Sequence, residues 1–138
     1  MIAYLDASVV LRVVLGQRDR LTEWKTIETG VSSGLLEVEC LRTLDRLKLK
    51  SLISDHDLMS RREAVFRLVD EIEVVEPTRA VLNRAAQPLP TPMGTLDAIH
   101  LASALLWKER QGQDLVMATH DAALAMGSRA CGLTVVGI

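Results

Sequence analysis

Aromatic side chains are nearly missing from this 138-residue chain, which has one Tyr, one Phe and two Trp. Tyr4, Trp24, Phe66 and Trp107 are not interleaved with basic residues, so the sequence offers no base-stacking platform for single-stranded nucleic acid. A cationic excess is missing too. Lys and Arg number 16 against 18 Asp and Glu, a formal charge of −2, and nothing in the overall balance announces a polyanion. The local basic stretches "RLKLK" (46–50) and "SRREAVFR" (60–67) read as solvated helix faces. Cysteine is confined to Cys40 and Cys131, far apart and without metal-ligand spacing. That excludes a disulfide framework. Both lie in apolar helical patterns and read as buried free thiols of a cytoplasmic protein. Long apolar runs are absent as well. The opening "MIAYLDASVVLRVVL" is interrupted by Asp6 and Arg12, and no small-residue cleavage site follows. Neither a signal peptide nor a membrane span is expected. There are no repeats. Proline is concentrated in one loop, "QPLPTPMG" (87–94), which carries three of the four.

What is present is ordinary globular material, 49% apolar and 25% charged, enough for a single domain over 1–138 with one sizeable core. Short β-type runs fall at 2–5, 30–33, 73–76, 114–119 and 133–138. Helical patterns fall from about Ser8, and at 20–28, 35–49, 55–72, 78–86, 95–109 and 121–130. This alternation predicts an α/β fold, a central parallel sheet of about five strands flanked by helices.

The segment "TLDAIHLASALLWKE" (95–109) sets the functional question. Its broad apolar face includes Leu96, Ile99, Leu101, Ala102, Leu105 and Leu106, yet Asp97 and His100 sit inside it. One explanation is local: Thr95 caps the helix and Asp97 complements the helix dipole. The other comes from topology. In open α/β sheets, sites lie at the carboxyl ends of the strands. Asp6 ends the first strand, Asp121 follows the fourth, and Glu37 and Glu39 open the helix after "GVSS". Asp97 starts a helix on the same rim, whereas Asp114 begins its strand and belongs to the opposite one. Carboxylates gathered on one rim repel unless protons or a cation neutralise them, and hard oxygen donors suit Mg²⁺ or Mn²⁺. Taken singly, each acid also fits an ordinary surface position. His100, among Leu and Ala, reads as a hydrogen-bonded structural histidine, and His120 as a solvent-facing loop residue.

Four stretches together resemble the PIN-domain family, and most closely its VapC-type toxin ribonucleases. They are "YLDASVVLRV", "SSGLLEVECLR", "TLDAIHLASAL" and "VMATHDAALAMGSRACGLTVVG", in that order along the chain. The resemblance implies a three-layer PIN-like sandwich and metal-dependent hydrolysis of RNA by Asp6, Glu39, Asp97 and Asp121, with Ser8 and Thr119 as polar supports. It also implies Mg²⁺ or Mn²⁺ as cofactor, RNA as substrate, a separate small antitoxin and a homodimer. On the helical wheel of 35–49, Leu36, Cys40, Leu44 and Leu47 mark the core face, and Glu37 lies nearer to it than Glu39. Periodicity thus does not select Glu39; its match to the family pattern does. One departure is the sequence Met93-Gly94-Thr95, where relatives often carry a basic residue.

Other chemistries fit less well. An aspartyl-nucleophile phosphatase would place a second Asp where Ser8 stands. A receiver domain would show an acidic pair and a late Lys, and neither is visible. A catalytically silent PIN-fold module that binds RNA or protein is the remaining alternative.

Overall fold

Five strands form one wholly parallel sheet in the computed structural model, which describes residues 1–138. The chain runs β1 (Ile2–Leu5), α1 (Ala7–Val14), a short 3₁₀ helix (Thr22–Thr26), β2 (Thr29–Ser33) and α2 (Leu35–Leu49). It continues α3 (Asp55–Glu71), β3 (Glu73–Val75), α4 (Arg79–Ala85), α5 (Thr95–Gln111), β4 (Val116–Ala118), α6 (Ala122–Ala130) and β5 (Thr134–Val136). The sheet order is β3-β2-β1-β4-β5. Tyr4 pairs with Val31 on one side and Met117 on the other.

Alternation along the strands sorts side chains into two cores. Ala3 and Leu5 face one layer, where they meet Val9 and Val10 of α1, Leu36, Cys40 and Leu44 of α2, and Val65 of α3. Tyr4, between them, faces the other layer with Leu101, Ala104 and Trp107 of α5 and Leu124 of α6. A sheet covered on both faces is what parallel strands require, because their crossover helices pack over them.

This order places a topological switch point at β1. The chain winds outward through β2 and β3 on one side, then returns to add β4 and β5 on the other. A crevice opens at the carboxyl ends of two neighbouring strands whose connections depart in opposite directions. Those ends are Leu5 of β1 and Ala118 of β4.

Three local expectations need correction. Residues 20–28 do not form an α-helix; only Thr22–Thr26 make a 3₁₀ turn. Thr26 Oγ1 donates to the Glu23 carbonyl and Thr22 Oγ1 to its carboxylate, and such local bonds compete with a helical ladder. Cys131 is not a buried helical thiol. It follows the last turn of α6 and is half-buried, because Gly132, at φ +84, turns the chain into β5. The N-cap of α5 is Gly94 rather than Thr95, which is already helical. No helix is long and apolar enough to cross a membrane.

The α2 face gives a test of this packing. Leu44 is fully buried, whereas Leu49, on the same helix, is 75% exposed. Leu44→Ala should cost about 2–5 kcal/mol in urea unfolding, and Leu49→Ala less than about 0.5 kcal/mol.

Candidate functional site

Asp6 stands at the switch point, at the carboxyl ends of β1 and β4. The residue follows β1 directly, and its N–H donates to the Ala118 carbonyl at the end of β4 (3.1 Å). Asp6 occupies the N-cap position of α1 but makes no cap bond. Its Oδ2 instead accepts from Ser8 Oγ (2.6 Å) and Thr119 Oγ1 (2.8 Å). Those hydroxyls are themselves anchored, since Ser8 Oγ accepts from the His120 N–H and Thr119 Oγ1 from the Asp121 N–H. A carboxylate only 6% exposed thus receives the hydrogen bonds that its burial demands.

His120 is not solvent-facing as expected. It is half-buried, and its Nδ1 donates to the Gly137 carbonyl (2.7 Å), while Nε2 is enclosed without a partner. The closing segment turns back over the β4 exit and brings that carbonyl in. Gly137 makes the turn at φ +102, and a Cβ there would lie 2.4 Å from the Thr119 carbonyl oxygen.

Asp121 and Asp97 sit at the starts of two helices. Asp121 caps α6 by accepting from the Leu124 N–H (2.8 Å) and is otherwise exposed. Asp97 lies in the first turn of α5 and makes no hydrogen bond or ion pair with the chain. Burial first, and then the charges of Asp121, Asp6 and Glu39, push its pKa from the usual 3.8 up to about 6; only His100 opposes them. Asp97 therefore lies within the field of the other three acids.

Glu39 arrives from the other layer. From α2 its Oε1 meets Nε2 of His100 on α5 (2.5 Å). His100 has no exposed surface, and its Nδ1 meets the Tyr4 hydroxyl (2.7 Å). Burial alone would lower the imidazole pKa. The hydrogen bond and charge of Glu39, with Asp6 and Asp97 behind it, outweigh burial and hold the pKa above its ordinary value. The same field reaches Cys40, whose thiol is pushed up to about 12 by burial and then by Glu39 and Asp6. Glu37, two residues earlier, has no comparable partner. The helical wheel favours it because a wheel records only one buried face, whereas Glu39 meets His100 from outside that face.

The Leu and Ala around His100 mark it as a buried, hydrogen-bonded residue, but no periodicity marks Glu39 or Tyr4 as its partners. The available signal was proximity: Tyr4 lies two residues before Asp6, and His100 three after Asp97.

The donor set suits a hard divalent cation. None of the four acids is paired with Lys or Arg; His100 is the one basic side chain in contact with them. Each keeps at least one oxygen without a donor from the chain: Oδ1 of Asp6, Oε2 of Glu39, Oδ2 of Asp121 and both oxygens of Asp97. No three of these groups stand close enough to enclose an ion by themselves. An open set of this kind fits Mg²⁺, which keeps several waters and takes only one or two carboxylates.

The PIN domain family model matches residues 3–125. The chain is 26% identical over 131 residues to ribonuclease VapC47 of Mycobacterium tuberculosis, covering 94% of this chain and 91% of that protein. It is 30% identical over 138 residues to ribonuclease VapC46 of the same species, covering 96% and 95%.

The raised pKa of Asp97 has a consequence for stability. Between its usual value and about 6, the native state holds a proton that the unfolded chain has released. Stability therefore falls as pH rises through that window, and the cost is complete above it. Asp97→Asn removes the titration. In metal-free urea unfolding, the variant should gain on wild type between pH 4 and pH 7, and a gap that stays constant would contradict the charge crowding.

Proposed function

The chain belongs to the PIN-domain family, and from that premise we propose that it is a divalent-metal-dependent endoribonuclease, the toxin of a toxin–antitoxin pair. The carrying observation is the cluster of Asp6, Glu39, Asp97 and Asp121 at the switch point, without a Lys or Arg to neutralise it. Both relatives reported above are named ribonucleases and match over nearly their whole length.

Asp6, Asp97 and Asp121 would hold Mg²⁺ or Mn²⁺ in part through the waters it keeps, and Glu39 would complete the set or orient the attacking water. When bound, the ion supplies Lewis acidity, which acidifies water and offsets negative charge gathering on the phosphate. The chain supplies the rest. Ser8 and Thr119 orient Asp6 through the two hydrogen bonds to its Oδ2. Glu39, whose Oε2 carries no donor from the chain, is available to accept a proton from water. Asp121 is fixed at the head of α6 by its own cap bond. No side chain needs to become covalently linked to the RNA. The partners that fit this activity are RNA, a small antitoxin that blocks the acidic site and a second toxin chain, all in the cytoplasm.

Cleavage of RNA by the purified protein, lost on chelation, tests the proposal. Asp97→Asn should abolish cleavage while leaving the fold intact, and Glu39→Gln should be far more damaging than Glu37→Gln. RNA binding without cleavage in the presence of Mn²⁺ would favour the silent binding module instead.

A thermal test needs no substrate. At a hundredfold excess over its dissociation constant, Mn²⁺ should stabilise the protein by about 2.7 kcal/mol. The melting temperature should rise in wild type and in Asp114→Asn, whose fully exposed side chain precedes β4 on the far rim. It should rise much less in Asp6→Asn. Equal responses in all three proteins would show that Asp6 belongs to no ion site.

A further inference from the structure

We propose that Tyr4 and His100 are positioning residues that lock the Glu39 side chain in place from the core of the sheet; this rests on Glu39 being part of the nuclease site. Glu39 differs from the other acids in its origin. Asp6, Asp97 and Asp121 are short side chains at the ends of β1, α5 and the β4–α6 link. Glu39 reaches the rim from α2, within the first turns of a helix of the opposite layer, on a longer side chain. Such a side chain has several rotamers open to it, so an unanchored glutamate would occupy the productive position only part of the time.

The anchor is rigid. His100 is fully buried, and both of its ring nitrogens are engaged. A carboxylate only accepts, so Nε2–H donates to Glu39 Oε1; in the neutral ring, Nδ1 then accepts the Tyr4 O–H. Tyr4 packs against the imidazole edge-to-face at 5.7 Å between ring centroids, and is itself fully buried in the central strand. Two polar side chains are thus buried beside Leu101 and Ala104, with Ser32 and Ser103 also near the Tyr4 hydroxyl, an arrangement that costs desolvation. Their chain of bonds ends on a residue at the site. The geometry leaves Glu39 Oε2 without a protein donor while Oε1 is held, the condition in which one oxygen orients and the other acts. Partners that orient a ligand from behind in this way are typically worth about 10- to 100-fold in affinity or activity.

The test is a double-mutant cycle on the whole protein. His100→Asn keeps the atom that faces Tyr4 and loses the one that faces Glu39, whereas His100→Gln can return an N–H towards Glu39. His100→Asn should lower kcat about 10- to 100-fold with little change in KM, and His100→Gln should recover most of the loss. Added to Glu39→Gln, His100→Asn should lower kcat no further. In the metal-free proteins, the urea-midpoint losses of the same two substitutions should be less than additive. Tyr4→Phe, which keeps the ring packing, should lower kcat by less than His100→Asn, again without moving KM; it carries the test should His100→Asn not fold. The proposal is overturned if His100→Asn costs as much in the Glu39→Gln background as in wild type, if His100→Gln is no better than His100→Asn, or if Tyr4→Phe leaves kcat unchanged. A folded wild-type protein that cleaves no RNA overturns the nuclease reading instead. The metal-free stability cycle then decides the link from Tyr4 to Glu39: additive losses refute it.

Discussion

A buried carboxylate at the end of the central strand is the constraint around which this structure is arranged. Asp6 is only 6% exposed, and an ionised group in that position is tolerated only when donors surround it. The donors are the Ser8 and Thr119 hydroxyls, which come from the first turn of α1 and the exit of β4. Each hydroxyl also accepts a backbone N–H from the His120–Asp121 segment. Solvating Asp6 therefore fixes how α1 leaves the sheet, how β4 ends and where Asp121 stands at the head of α6.

The second constraint joins the two helical layers. Glu39 from one layer and His100 from the other meet at the rim, and Tyr4 ties that contact to the sheet. Around this point the molecule accumulates negative charge that no Lys or Arg offsets, and burial makes the repulsion at Asp97 stronger. A fold selected for stability alone would pair or disperse these groups. Local conflict held in place by an otherwise consistent structure is what functional sites commonly show. Here the conflict is of one sign, confined to the switch point and made of hard oxygen donors, and a divalent cation would relieve it.

Each strand and nearly every helix was legible from alternation and periodicity, because those patterns arise within one segment. Leu36, Cys40 and Leu44 announce the core face of α2 from their spacing alone. The exceptions were also local in cause. The threonines at 22 and 26 satisfy Glu23 groups instead of extending a helix, and Gly94 takes the cap position for which Thr95 has the better side chain.

The sequence by itself determined the α/β class, the parallel sheet and the rim on which Asp6, Asp97 and Asp121 lie. Placement at the carboxyl end of a strand, or at the start of the helix that follows, depends only on where elements begin and end. Tertiary structure alone decided which side chains His100 meets and why His120 is enclosed. Glu39 rather than Glu37 meets His100, a contact spanning 61 residues of sequence. The Tyr4–His100 bond spans 96. Such pairings follow from the order in which the strands assemble, which leaves no periodic trace in any one segment.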